Sequence, residues 1–533
     1  MNMFMKTTIN KIMICLLAGT LFLSACSDKF FENDPVGSFD EKAYWNSETD
    51  VKSWMAGIYS GIQQTLGSNY LHWGESRSDN FLPTIYGGER YQLNNLVSTD
   101  GVCNWVDLYS VISRCNMGLE NIDRVKGISE SNLKLYKGQM YGIRAWMYFY
   151  AIRVWGDVPM ITKTWDGTLE TKYNPRTPVE TIKTEIIEKD IEQAINLLEP
   201  TMNSILPPAP YGVNCFYFNK GAALALRMDF DLWFGNYDRV IESSNMIESF
   251  KLYSLVAYAP NGSNWRNIFL DPGASKETIF TMNWIYPEND NNPYGAIVAA
   301  SDKNPSFHVS QEVFKVMIRD KKDVRFWGVL DTVKIFKEIG NRPIGEDAII
   351  ADGAHYTRGD KIGKFNQMIV NPAGENAFLT PGQGQCDYKL PIYRYADVLL
   401  MRATALNKRN QAGDAQEAIN IVNKIRARCG NQIVATLEQY PVKDGWGLDS
   451  RERLILDERQ VEFYGEGKRW FDLRRSGEVF YQAMSEHMLI LQGYKLMELV
   501  GFQKDGRELF PLHQSVFSAN PLLVGKQNPP YSE

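Results

Sequence analysis

Apolar residues recur every three or four positions in several separate stretches of the chain, the spacing that puts them on one face of a helix. After Asn219, a residue suited to capping a helix start, Ala222, Ala223, Leu226, Phe230 and Trp233 share a stripe. Gly235-Asn236 interrupts it, and Tyr237, Val240, Ile241, Ser244 and Ile247 resume it. A second pair of stripes runs through Ala396, Leu399, Ala403 and Leu406 and breaks at Gly413-Asp414. It returns in Ala415, Ala418, Ile419, Val422 and Cys429 before Gly430. Asp414 and Glu417 have capping-box spacing at the start of the returning helix, as do Asp449 and Glu452 further on. Both pairs of stripes read as antiparallel helix hairpins. Alanines facing larger side chains let the two backbones come close, as in tetratricopeptide-like pairs. Arg144–Phe149, continuing to Arg153 and ending at Trp155-Gly156-Asp157-Val158-Pro159, predicts a further helix, and Ile182, Ile186, Ile191, Ala194, Ile195 and Leu198 keep helical spacing.

Between about 255 and 391 the helical period fades. Nine prolines and twelve glycines fall there, so loops and extended segments are expected. Ile279 to Tyr286 alternates, which as a strand would put Phe280, Met282, Trp284 and Tyr286 on one face. The pattern describes a mainly α chain: irregular tetratricopeptide-like helix pairs forming a scaffold, with an inserted loop and short-strand region. The body divides into an N-terminal helical part (about 26–254), the irregular insertion (about 255–391) and a C-terminal helical part (about 392–533), read together as one domain.

The N-terminus has a different pattern. Lys6 and Lys11 precede an apolar run from Ile12 to Leu23, then Ser24-Ala25-Cys26. A charged start, a short apolar stretch and small residues mark a secretory signal over residues 1–25. The run is well short of the ~20 residues that span a bilayer. The small pair before Cys26 resembles a lipobox, which makes Cys26 the expected lipidation site and mature N-terminus. Several acyl chains on one cysteine would hold the chain on a membrane, where a single chain binds only marginally.

Composition narrows the picture. With 44% hydrophobic and 23% charged residues the chain builds a sizeable core. A net charge of -6 lacks the positive field of a nucleic-acid binder, so no nucleic-acid partner is expected. Beyond Cys15 and Cys26, the cysteines Cys103, Cys115, Cys215, Cys386 and Cys429 are odd in number and form no C-x-x-C pair. Buried free thiols are expected for most, with Cys103–Cys115 left as a possible bridge.

Longer motifs carry a resemblance. Tyr393-Arg394-Tyr395-Ala396-Asp397-Val398-Leu399-Leu400-Met401-Arg402-Ala403 is similar to a signature helix of the SusD/RagB family, as is Ile455–Arg475 with Asp457-Glu458-Arg459, Glu462-Phe463 and Glu466-Gly467-Lys468-Arg469-Trp470-Phe471-Asp472. Cys115-Asn116, Lys137-Gly138-Gln139, Arg144-Ala145, Trp155-Gly156-Asp157-Val158-Pro159, Asn520-Pro521 and Gln527-Asn528-Pro529-Pro530-Tyr531 fit the same family at the two ends. The resemblance implies an outer-membrane lipoprotein, facing the exterior, that captures a nutrient. The nutrient is usually a glycan, and capture works with a SusC-like TonB-dependent transporter. In such a fold the inserted region takes part in ligand binding. Peptide capture and a surface glycoside hydrolase are the alternative readings.

The charged signature around Glu458, Arg459, Glu462, Lys468, Arg469, Asp472, Arg474 and Arg475 reads as intrahelical and interhelical ion pairs. No catalytic residues are assigned. The five histidines form no zinc spacing, no G-x-S-x-G elbow is present, and no cofactor or metal is expected. Glu288-Asn289-Asp290-Asn291-Asn292 offers oxygens suited to calcium but lacks the EF-hand pattern.

Binding is better represented. A sugar offers an apolar C–H face, which exposed aromatic rings cover, and a rim of hydroxyls, which Asp, Asn and Arg satisfy. One segment with these ingredients carries Trp73, Arg77, Asp79, Asn80, Tyr86, Asn104 and Trp105; the resemblance places the Arg-Ser-Asp stretch near the ligand. A second carries Trp284, Tyr286 and Tyr294, and Trp265, Trp327, Tyr356 and Arg358 are weaker candidates.

Overall fold

A computed structural model describes residues 44–67, 69–83, 89–164, 173–200, 215–284, 307–310, 322–329, 362–365, 367–370, 376–379, 388–434, 448–495 and 502–533, with 313, 316 and 446. Cys26 and its signal segment lie outside the described residues, as does Cys386.

The chain enters through α1 (Glu48–Leu66), whose first turn closes with a full capping box between Ser47 and Asp50. A short α2 (Asn69–Gly74) leads into strand β1 (Phe81–Pro83). Next come α3 (Val106–Asn121) and the 26-residue α4 (Glu130–Trp155), in which every residue from Gly142 to Trp155 is buried. Such a helix shows little amphipathic signal because neighbours cover it on all sides. Gly142 permits one of these approaches: a Cβ there would sit 2.1 Å from the Phe218 ring. Val179–Ile182, a π turn at Lys183–Ile187 and α5 (Glu188–Leu197) form one run against α4.

The first predicted hairpin is α6 (Lys220–Trp233) with α7 (Tyr237–Ser249), and Asn219 caps α6 by accepting the Ala222 N–H at 2.9 Å. Beyond it lie α8 (Ser263–Leu270), β2 (Thr278–Met282), β3 (Phe307–Val309) and β4 (Leu390–Arg394). The second hairpin follows as α9 (Tyr395–Arg409) with α10 (Asp414–Arg428), and α7 packs on α9. The signature region forms α11 (Ser450–Glu462) and α12 (Arg469–Arg475), followed by α13 (Glu478–Lys495). The protein is thus mostly helical, built from helix pairs, with only two-stranded pairings among the described strands.

Two local expectations change, and the open question of Cys103–Cys115 is answered. Asp414 is not the cap of α10: Gly413, left-handed at φ 90°, occupies that position. Asp414 instead binds Arg409 through both oxygens (2.9 and 2.7 Å), and Glu417 pairs with Arg402 across the hairpin. Asp449 does cap α11, accepting the Glu452 N–H at 2.6 Å. The alternating strand stops at Met282 and is buried along its whole length, because β4 pairs with it inside the core and Phe280 meets the Trp146 and Phe218 rings, each at 5.4 Å. Cys103 and Cys115 do not pair. Both are free buried thiols, like Cys215 and Cys429, and burial pushes the Cys115 thiol up to about 12.

Candidate functional site

The segment after α2 turns sharply under the signature region. At Gly74 the two backbones touch so closely that a Cβ would lie 1.8 Å from the Gly467 carbonyl oxygen. Gly467 is itself left-handed at φ 64°, so the crossing requires glycine on both sides. Glu75 ties the crossing together. Its carboxylate accepts the N–H groups of Gly465 and Gly467 and the Asn80 amide, each at 2.7 Å. Burial pushes Glu75 up to about 7 against these hydrogen bonds and the nearby Lys364.

The polar candidates of this segment are interior. Arg77, wholly buried, donates to Asn94 Oδ1 at 2.9 Å and to the carbonyls of Arg507 and Leu509, and lies 4.4 Å above the Trp470 ring. Asp79 is gripped at both oxygens by Arg469, at 2.8 Å each, so its ionic partner is Arg469 rather than Arg77. Asn80 bridges Glu75 and Gln460, the latter at 3.0 Å. Asn104 is half-buried and spends its side-chain oxygen on the Val106 N–H at 3.0 Å, at the start of α3.

The indoles are interior as well, which corrects the expectation of exposed stacking rings. Trp73 is 1% exposed, donates to the Val102 carbonyl and meets the Trp155 ring edge-on at 5.2 Å. Trp105 (6% exposed) meets the same Trp155 at 5.6 Å, Trp284 is 2% exposed, and the weaker candidate Trp265 packs on Phe269. With no accessible face, none offers a platform for a sugar ring in this conformation. The physical reason is size: a Trp buried in a helix-pair core contributes more apolar area than any other side chain. Tyr86, Tyr286, Tyr294, Tyr356 and Arg358 lie outside the described residues, as does the side chain of Trp327.

The backbone brings β1 of the first candidate segment beside a strand from the inserted region. In the antiparallel β1–β3 pair, Pro83 faces Phe307. Ser310 fastens this pair to the turn below it through the Asn80 carbonyl at 2.8 Å. Residue spacing alone carried no signal of this juxtaposition, because the partner strand is over two hundred positions away.

The interior holds a buried ionic lattice, the part that residue patterning described best in kind. Glu462 accepts from Arg325 (2.9 Å), Arg394 (2.5 Å) and Arg428 (2.5 Å), and Glu277 from Arg394 and Arg428. Burial opposes charge on Glu462, yet Arg428, Arg394 and Arg325 outweigh it and hold the carboxyl well below the usual range. Asp397 is kept low in the same way by Lys468 and Arg459. These acids are spoken for by cations, an arrangement that positions helices and is poorly suited to general acid catalysis. Among the described residues no group of three or more His, Cys, Asp and Glu is placed to hold a metal ion, and no helix is long and apolar enough to cross a membrane.

The mostly helical architecture, with its few short strand pairs, is that of SusD-superfamily structures. Solved structures share it: a laminarin-binding SusD-like protein at TM-score 0.68 and 19% identity, covering 91% of this chain and all of that one (100%). A SusD superfamily protein from Bacteroides thetaiotaomicron gives TM-score 0.66 at 22% identity (92% and 99% covered), and NanU of B. fragilis 0.63 at 19% (94% and 100%).

The chain belongs to the SusD/RagB family. The SusD family model matches residues 340–531, and a second, described as starch-binding associating with outer membrane, matches residues 29–228. SusD-like protein P38 of Formosa agariphila is 26% identical over 86% of this chain and 89% of its own length; SusD-like protein P2 of the same organism is 24% identical over 91% and 97%.

Proposed function

We propose that the protein is a surface-exposed outer-membrane lipoprotein, anchored through Cys26, that binds an oligo- or polysaccharide and delivers it to a SusC-like TonB-dependent transporter without cleaving it. The observation that carries this reading is the family match over residues 29–228, whose description joins starch binding to the outer membrane. The laminarin-binding neighbour and the lipobox before Cys26 support it. With the described indoles interior, the stacking role passes to the remaining aromatic candidates Tyr86, Tyr286 and Tyr294, whose phenol ring would cover the sugar face while its hydroxyl serves the rim.

The test uses the full chain in a detergent without a sugar headgroup, run on native gels containing laminarin, starch or other polysaccharides. Retardation by at least one glycan is expected, with no new reducing ends on incubation. Tyr286→Ala or Tyr294→Ala should weaken retardation by ~5-fold or more, since ring stacking and its hydrogen bond together amount to roughly 1–3 kcal/mol. Product formation would replace capture with hydrolysis, and retention by no glycan alongside saturable oligopeptide binding would replace it with peptide capture.

A further inference from the structure

The sequence contains a single asparagine–glycine step, Asn261-Gly262, and it falls in the inserted region just ahead of α8. Asn261 is exposed. Gly262 is left-handed at φ 69°, and a Cβ there would lie 3.3 Å from that of Val324. A residue with a side chain is disfavoured in that conformation, so the turn keeps a glycine directly after the asparagine.

Hydrogen bonding divides the Asn261 carboxamide into an anchored half and a loose one. Its oxygen accepts the N–H of Ser263, the first residue of α8, at 3.1 Å, and its nitrogen is left to solvent. A donor on a carbonyl oxygen draws electrons from the carbon and stabilises the charge that the oxygen gains when a nucleophile adds. The backbone nitrogen of Gly262 is the nucleophile that the covalent chain itself supplies, and its attack closes a five-membered ring. Without a Cβ, glycine leaves that approach unhindered. One contact opposes the reaction: the Gly262 N–H donates to the Ala259 carbonyl at 2.8 Å, and this bond must open first. The turn is thus primed at the carbon and restrained at the nitrogen.

We infer that Asn261 is a self-modification site, converted in the folded chain to aspartate and isoaspartate with Gly262 as its nucleophile. The Gly262 nitrogen gives its proton to hydroxide and its electron pair to the side-chain carbon of Asn261. That carbon's bond to the amide nitrogen breaks, and the nitrogen leaves as ammonia after taking a proton from water. Water then adds to one carbonyl of the resulting succinimide and opens one of its two ring C–N bonds. Breaking the new bond restores the backbone and leaves an aspartate. Breaking the original peptide bond routes the chain through the side chain as isoaspartate. Either product adds one negative charge to this exposed turn, ahead of the helix whose Trp265 and Phe269 lie over Lys364. Aspartate keeps an acceptor for Ser263, whereas isoaspartate lengthens the backbone between Ala259 and Gly262. This chemistry is independent of the capture function.

The test holds the full chain at mildly acidic and mildly alkaline pH, samples it over days and digests it for peptide mass spectrometry, with ammonia and isoaspartyl content measured in parallel. The peptide carrying Asn261 is expected to gain the mass of an amide-to-acid exchange ahead of every other asparagine peptide, at a rate rising in proportion to hydroxide. Asn261→Gln, whose attack would need a six-membered ring, should lose this ammonia release. Asn261→Asp, the fixed product, should fold and melt at or above the parent's temperature, since an acid is favourable at a helix start. Position 261 is exposed, so neither variant threatens the fold. An unchanged Asn261 peptide while other asparagines convert, isoaspartyl content unaltered in Asn261→Gln, or a rate indifferent to pH would overturn the inference.

Discussion

Asp79 is where a ligand role and a structural role make opposite forecasts. Its carboxylate is 2% exposed and receives both arms of the Arg469 guanidinium at 2.8 Å, while Arg469 is itself 2% exposed. Asp79→Asn keeps the shape and removes the charge, leaving an arginine buried against a neutral amide. Breaking a buried pair from one side costs about 3–5 kcal/mol, most of it the stranded charge. Arg469→Met should cost a similar amount by stranding the acid. The double variant Asp79→Asn with Arg469→Met removes both charges and should recover much of the loss, because the stranded charge that dominates each single cost is gone. Denaturant unfolding of the four proteins gives the coupling energy, and native-gel retardation of the folded fraction gives ligand affinity. The structural reading expects strong coupling and unchanged retardation. Stability of Asp79→Asn within ~0.5 kcal/mol of the parent, together with lost glycan retention, would refute it and return Asp79 to the ligand.

Two further outcomes follow from the core. His72 stacks on Tyr91 at 4.2 Å, and burial lowers its pKa from 6.5 to about 4. The unfolded chain therefore binds a proton that the folded chain refuses between those values. His72 stabilises the fold above pH 6.5, and that contribution falls by about 3 kcal/mol as pH drops toward 4. His72→Gln should flatten this part of the pH–stability curve, and an unchanged slope would show His72 to be solvated. Gly142→Ala should destabilise by ~1–3 kcal/mol through overlap with Phe218, and Phe218→Leu in the same chain should relieve much of it; additive losses in a thermal melt would contradict the close approach.

Both helix hairpins and the Asn219 cap were legible in the amino-acid order, because each depends on contacts three or four residues apart or on a single turn; the interleaved acids and bases of the signature region announced ion pairing, but the partners that hold Glu462 come from 34, 68 and 137 positions away. Cap chemistry at Asp414 was misjudged for an equally local reason: a left-handed glycine can hold the position before a helix and free the acid for a nearby arginine. Tertiary structure alone decided the fate of the aromatic and polar candidates. Trp73, Trp105 and Trp284 have the same composition signature whether they face water or the core, and only tertiary packing, for Trp73 and Trp105 against Trp155 of α4, puts them inside. Likewise Asp79 meets Arg469 across 390 positions, and Pro83 meets Phe307 across more than two hundred, distances over which no periodicity carries information. The amino-acid order determined which helices form and that their charges would be paired. The folding of the chain upon itself decided which rings are buried and which distant strands and ions meet.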